Sequence, residues 1–265
     1  MISRGSDSER LSVLLIEDNP GDVRLVREAL HPTVSTLRIT SLQTGKPRTL
    51  GTPGAADPMD REWTTGFFKE PVTDPKQVTT LGIEGDAQGD LVNHGGPDKA
   101  INAYPSEHYT LWQHTLHLTL PAGAFGENFT TTGLTESQIC VGDVFQCGDI
   151  RLQVSQPRQP CWKLARRWRI KDLAAQVERT GHTGWYFRVL RGGTVQTGMK
   201  LELVHRTAPE WTITAANEVM HHRKQDTAAA LALSQCPGLS ASWQASLARR
   251  AQGDPADTSP RLAGS

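Results

Sequence analysis

Neither sign of charge prevails in this sequence: among 265 residues, 28 Lys and Arg stand against 28 Asp and Glu. A chain without net charge projects no long-range field, which excludes a dedicated polyanion binder and a polybasic membrane anchor. Long apolar runs are missing too. Near the N-terminus the strongest is Val13 to Ile16, behind the polar lead Met1 to Arg10, and it is far too short for a signal-peptide core or a membrane span. A cytoplasmic protein is the expectation. Only four cysteines occur, Cys140, Cys147, Cys161 and Cys236, with no C-x-x-C pair, so neither a disulfide framework nor a zinc knuckle is signalled. No repeat of fixed period is present, which removes solenoids and propellers.

What is there organises itself into four stretches. Residues 1–36 contain a strand pattern (Val13, Leu14, Leu15, Ile16) and then a helix opened by Asn19-Pro20, with Val23, Val26 and Leu30 as its stripe. Residues 37–206 are rich in Gly, Thr and Val, and their short alternating apolar stretches predict a mainly β body with helices. Its clearest hairpin runs from Val144 to Cys147, turns at Gly148-Asp149, and continues with Ile150, Leu152 and Val154 alternating with Arg151, Gln153 and Ser155. Helices are expected at Glu107 to Leu116 and, as one stretch, from about Trp162 to Arg179. Residues 207–250 turn to Ala, Leu and Gln with helical spacing, and Leu239, Trp243 and Leu247 share a face of the last helix. Residues 251–265 hold almost no large apolar side chain and are expected to be disordered.

Chemistry gathers around Cys161. Pro157 and Pro160 stop the preceding strand and release the chain into a stiff loop, and a helix pattern begins directly after the cysteine. The helix dipole and the nearby Arg158, Lys163 and Arg166 would both favour thiolate, the form that attacks electrophiles or binds soft metals. From Arg151 to Lys171 there are seven basic residues, Arg151, Arg158, Lys163, Arg166, Arg167, Arg169 and Lys171, and no acid. That is a seat for a phosphate-bearing ligand, or equally a small core thiol beside a solvated helix face. His114 and His117 stand three apart on a helix without a carboxylate or cysteine to complete a metal site, so they, His108, His221 and His222 are assigned to structure. Trp162, Trp168 and Trp185 suit either a pocket for a flat substrate or packing.

Several separated motifs then occur in order: Trp63-Thr64-Thr65-Gly66-Phe67-Phe68-Lys69, Gly82-Ile83-Glu84-Gly85-Asp86, Asn93-His94-Gly95-Gly96-Pro97-Asp98-Lys99-Ala100, Phe125-Gly126-Glu127-Asn128, Gln156-Pro157-Arg158-Gln159-Pro160-Cys161, Gly184-Trp185 and Pro237-Gly238-Leu239-Ser240-Ala241-Ser242-Trp243. As a set they resemble the MOSC family, named for the C-terminal domain of molybdenum cofactor sulfurase, and its YiiM-type members. The resemblance implies a MOSC-type β-barrel followed by a small C-terminal domain of three helices. It also implies a molybdopterin-type molybdenum cofactor, with Cys161 as the protein thiolate on the metal and as the catalytic residue. Cofactor-binding positions would be Lys69, His94, Gly95, Gly96, Asn128, Gln156 and Arg158. The glycine pair would admit a ligand close to backbone N–H groups, and His94 would bond a pterin edge or phosphate. Asn128 would meet a pterin amide, Lys69 an anion, and Arg158 a phosphate in two-pronged fashion.

The activity so implied is reduction of N-hydroxylated compounds, such as hydroxylaminopurine-type base analogues, to amines, a detoxification. No flavin, haem or iron–sulfur motif accompanies it, so a separate reductase, expected to be a flavoprotein, would deliver electrons; neither nucleic acid nor membrane is an expected partner. Two other functions fit the same residues: a sulfur carrier using a Cys161 persulfide, and a non-catalytic cofactor-binding or signalling adaptor. The adaptor idea comes from Val13 to Val26, which resembles the start of a response-regulator receiver domain, with Glu17 and Asp18 as its magnesium-binding acids. A phospho-acceptor aspartate and a lysine are lacking, and 36 residues fall short of a domain of ~100–150. The stretch is read as an extension without phosphotransfer.

Overall fold

Alternation of buried and exposed side chains begins at β1 (Thr36–Thr44), where Leu37 and Ile39 point inward and Arg38 and Thr40 outward. A bulge between Ile39 and Ser41 breaks the rhythm, and Leu42 and Gln43 are both buried. The computed structural model describes residues 35–90, 94–254 and 261–262. The strand and helix expected within Leu11 to Leu30 lie outside the described residues, as do Asn93 and most of the tail.

After β1 come two short strands, β2 (Arg48–Leu50) and β3 (Trp63–Thr65), which pair with each other. Next are β4 (Glu70–Pro71), β5 (Lys76–Thr79), β6 (Gly82–Ile83) and β7 (Ile101–Pro105), then helix α1 (Glu107–Leu116) and β8 (Phe129–Thr132). The expected hairpin is β9 (Val144–Cys147) and β10 (Ile150–Pro157); Cys147 faces Ile150 across a two-residue turn in which Gly148 takes φ 56°. Helices α2 (Lys163–Trp168) and α3 (Leu173–Thr180) follow, then β11 (Trp185–Arg191), β12 (Gly193–Val195) and β13 (Lys200–His205).

The main sheet runs β13-β9-β10-β11-β7-β8-β1, and β13 pairs back onto β1, so seven strands close into a barrel. Its neighbours are antiparallel except β7 and β8. Parallel neighbours need a long return connection, and α1 with the following loop supplies it. Closure leaves no unpaired edge on the barrel wall. Inside, Phe145 and Trp185 both meet Phe187 edge to face, among Leu37, Ile101 and Val154. A second apolar cluster lies under α1, α2 and α3 and joins Tyr104, Trp112, Phe125, Leu164 and Val177.

Helix α1 has the expected bounds. The second helical stretch differs from the single helix expected: it breaks at Arg169, which adopts φ 57° and whose N–H closes on Ala165 O. The break turns Trp168 and Ile170 onto the second cluster, and the Trp168 indole donates to Ala124 O at 2.9 Å. Packing outweighs helical continuity here.

The C-terminal region is helical, with α4 (Ile213–Asn217) running into a π-helical turn (Glu218–His222), then α5 (Thr227–Ser234) and α6 (Ala241–Ala251). Thr212, Asp226 and Ser240 each cap a helix through the side-chain oxygen. Trp243 and Leu247 are buried on α6, and Leu239 is buried just before it. Arg250 donates to Val219 O and Met220 O, satisfying carbonyls of the π-helical turn. Of residues 251–265, 251–254 and 261–262 are described: Ala251 completes α6, and Arg261 makes several hydrogen bonds. Among the described residues no helix is long and apolar enough to cross a membrane.

The loop between α1 and β8 depends on one carboxylate. Glu127 is fully buried and accepts from Gly123 N (2.7 Å), Phe125 N (3.0 Å), Thr130 Oγ1 (3.0 Å) and the Tyr109 hydroxyl. Replacing Glu127 with Ala strands four buried donors and is expected to cost about 3 kcal/mol or more. Urea unfolding at unchanged slope measures this; a loss below about 1 kcal/mol would assign the loop's order to packing instead.

Candidate functional site

Four strands bring polar residues into one line at an end of the barrel. Gln156 of β10 faces Tyr186 of β11, and Tyr186 faces Asn102 of β7. Asn128, just before β8, donates its N–H to Asn102 O (2.8 Å), and its side-chain oxygen accepts the Asn102 N–H (3.1 Å). Tyr186, Asn102 and Asn128 line a cleft of about 540 Å³, including its open mouth. Its other wall is the Thr65-Gly66-Phe67 stretch after β3. Arg167 of α2 ties this stretch to the loop before β8, donating to Phe67 O (3.1 Å) and Gly123 O (2.9 Å). Burial raises the Tyr186 pKa, which keeps its hydroxyl protonated.

Cys161 sits in this cleft, buried, with Sγ 3.8 Å from Nε2 of His94. Arg158, Lys163 and Lys99 line the same space. Burial lowers the His94 pKa to about 3, with Lys163, Arg158 and Lys99 adding to the fall and Asp90 opposing it. The ring is therefore neutral at physiological pH and serves as a hydrogen-bond partner of the thiol, not as an imidazolium. Arg158 is anchored by its own N–H to Gly184 O (3.1 Å) and by Nη2 to Phe125 O (3.2 Å). Its Nη1 is buried and has no partner among the described residues.

The remaining sequence candidates divide. Lys69 and Asn128 both reach the cleft, but their polar ends converge on a residue given no role in the sequence, Asp86. Lys69 Nζ forms an ion pair with Asp86 Oδ1, and Asn128 Nδ2 donates to Oδ2 at 2.9 Å. Burial lowers the Lys69 pKa, and Asp86 and Glu127 oppose that fall. Lys69 thus meets an anion of the protein itself at the edge of the cleft. Gln156 does not line the cleft. The register shifts between Val154 and Gln156, and a bulge re-aims flanking side chains; the Gln156 amide engages Pro157 O and Ser242 Oγ. Gly95 and Gly96 lie outside the lining as well. Gly96 adopts φ 92° at the start of the 3-10 turn Pro97–Lys99, and its carbonyl takes the Lys99 N–H (3.0 Å). Its glycine character answers to backbone angle, since a Cβ there would meet nothing within 4 Å.

Of the seven basic residues in the acid-free segment, only Arg158 and Lys163 line the cleft. Arg166 stacks over Trp162 (4.4 Å) and Arg169 pairs with Asp60, while Arg151 bonds Gln146. None of Trp162, Trp168 and Trp185 lines it. His108 is occupied by Glu136 (2.7 Å), and among the described residues no group of three or more His, Cys, Asp or Glu is placed to hold a metal. Sequence reasoning assigned nothing to Asp86, Asn102, Phe67 or Tyr186. Asp86 and Phe67 stand inside quoted motifs, whereas Asn102 and Tyr186 carried no local signal.

Comparison with known proteins gives two family matches in sequence order: the MOSC domain over residues 90–202, and the YiiM-like, 3-alpha helix domain over residues 211–253. Protein YiiM of Escherichia coli is 41% identical over 191 residues, 71% of this chain and 85% of that protein. A protein named "Reductase" from Gibberella moniliformis is 32% identical over 169 residues, 61% of this chain and 29% of its own length. The crystal structure of YiiM from Geobacillus stearothermophilus superposes with a TM-score of 0.68 at 38% identity, covering 81% of this chain and 99% of that one.

The state of His94 has a measurable consequence. An unfolded histidine takes up its proton near 6.5, whereas folded His94 does so at about 3, so between these values the unfolded state binds more protons. Stability should fall as pH drops from 6.5 toward 3, and His94→Gln should flatten that part of the profile. By NMR the His94 ring should show no titration step between pH 5 and 8; a step near 6.5 would mean the ring is solvated.

Proposed function

Since this chain belongs to the MOSC family and to its YiiM-like branch, we propose that it is a reductase of N-hydroxylated compounds, such as hydroxylaminopurines, working with a molybdopterin-type molybdenum cofactor in a detoxifying role. Family membership and the relative named as a reductase support the oxidoreductase class. The observation that carries the cofactor is the unpartnered, buried Nη1 of Arg158 in the cleft that holds Cys161. A buried N–H without an acceptor is costly, and an anionic oxygen relieves it. A cofactor phosphate supplies such an oxygen, and Lys99 and Lys163 add positive charge on the same wall. The donor set fits as well. Among the described residues, one thiol without a carboxylate or histidine cluster suits a metal that would bring its other sulfur ligands on the pterin.

When bound, the cofactor supplies the two-electron redox chemistry that removes the hydroxyl oxygen. The chain's residues position it. Cys161 would hold the metal through its thiolate. His94, held neutral by burial and the surrounding cations, donates from Nε2 to that sulfur and so orients it without storing its proton. Asp86 holds Lys69 and Asn128 as a stiff floor, and Phe67 and Tyr186 supply flat walls for the substrate. A separate flavoprotein reductase delivers the electrons.

The test is molybdenum and pterin analysis of protein purified from a cofactor-competent host, with turnover of a hydroxylaminopurine by a supplied electron donor. The native chain should carry both and Cys161→Ala should be inactive, with His94→Gln reduced about 10- to 100-fold, as for other groups that orient a metal ligand. Native protein without molybdenum, with cyanolysable sulfur on Cys161, would replace this reading with sulfur carriage.

A further inference from the structure

The peptide neighbours of Cys161 are held from a distant part of the chain. Arg261, a hundred residues downstream, reaches both. Its carbonyl oxygen accepts the Trp162 N–H at 2.9 Å, and its Nη1 donates to Pro160 O. The other guanidinium nitrogen, Nη2, is anchored on the Glu178 carboxylate of α3. Glu178 in turn pairs with Nδ1 of His221 in the π-helical turn (3.3 Å). Burial by itself would raise the Glu178 carboxyl, but His221 and Arg261 overcome it and bring it down to about 2, so the anchor is charged. Leu262 lines a surface groove together with Trp162, Met59 and Arg166.

We propose that Arg261 is a positioning residue for the Cys161 thiol, clamping the carbonyl before the cysteine and the N–H after it so that Sγ is held toward His94 in the cleft. Helix α2 holds the cysteine segment from its C-terminal side, where the Cys161 and Trp162 carbonyls accept the Leu164 and Arg166 N–H groups. Pro160 lacks an N–H, and Trp162, the residue before α2, directs its N–H away from the helix toward Arg261. A guanidinium can bridge the Pro160 carbonyl and a carboxylate at once because its donors diverge in a fixed plane; an ammonium lacks that preorganised fork and holds the pair less rigidly. The proposal rests on Cys161 being the working thiol of the cleft, but the clamp is a property of the protein with or without a cofactor.

The test reads the clamp in cofactor-free, full-length protein. Carboxamidomethylation of each cysteine by iodoacetamide is followed by peptide mass spectrometry from pH 6 to 9 in native protein, Arg261→Ala, Arg261→Lys and Glu178→Gln. Arg261→Ala should speed labelling of Cys161 about tenfold, the effect of losing one charge-assisted hydrogen bond, while Cys140 and Cys236, buried elsewhere, keep their native rates. Arg261→Lys should recover part of the protection, and Glu178→Gln should lie between native and Arg261→Ala. Unchanged Cys161 labelling in Arg261→Ala overturns the proposal. So does a rise shared equally by Cys140 and Cys236, which would make Arg261 a general stabiliser. Since no arm uses turnover or metal, absence of molybdenum from the native protein would count against the proposed reaction and leave this result standing.

Discussion

Three residue pairs, Thr36 with Glu202, Leu37 with Leu201 and Arg38 with Lys200, join the first strand of the barrel to the last. This pairing turns an open sheet into a closed one, and closure dictates where each strand ends relative to its neighbours. The cleft follows from it. Tyr186, Asn102 and Asn128 belong to different strands or their margins and become neighbours because the register sets them side by side. At the same end β10 leaves the barrel, and its outgoing chain carries Arg158 and Cys161 across the opening.

Neutral net charge takes on a structural meaning here. A few of the 28 acidic residues lie inside the fold, where their carboxylates hold loops. Glu127 organises the approach to β8, and Asp86 ties Lys69 to Asn128. Asp143 accepts from Cys140 N (2.8 Å) and from Arg206, while Glu136 joins His108 to the Gly184 N–H. Each accepts several donors at once, which is how an ionised group tolerates burial. Within the cleft Lys69 is paired with Asp86, and Asp90 and Asp98 act on Lys99, while Arg158 Nη1 makes no hydrogen bond among the described residues. A zero sum over the chain thus accompanies a basic cleft.

The helical region is part of the same architecture. Its apolar side chains belong to one cluster with those of the barrel. Ser240 N donates to Ser155 O, Arg188 reaches Gly238 O, and Asp98, one residue before Lys99, accepts the first N–H of α6 from Ala241. The Pro237 to Trp243 stretch therefore braces β10 and the turn carrying Lys99 from behind. Asn217 extends the bracing, donating to Gly181 O and Thr183 Oγ1 in the loop whose Gly184 carbonyl holds the Arg158 N–H.

By itself the sequence determined the alternation that makes β9 and β10 a hairpin, the bounds of α1, and the helical character beyond residue 208, because these depend on local pattern and capping. Ordered motifs also carried the family and, with it, the barrel. Local chemistry singled out Cys161 and Arg158, the motif set added His94, and the three line one cleft. Tertiary structure alone decided the rest. It broke the expected second helix at Arg169, where Trp168, ending α2, and Ile170, just beyond it, pack against the second apolar cluster. It turned Gln156 away from the cleft, gave Lys69 an internal anion in Asp86, and distributed most of the basic segment to other surfaces. It also brought Arg261 to the cysteine. The physical reason is common to these cases: a local pattern specifies which face of an element is apolar, whereas the partner of a charge is whatever the closed barrel places within hydrogen-bonding distance.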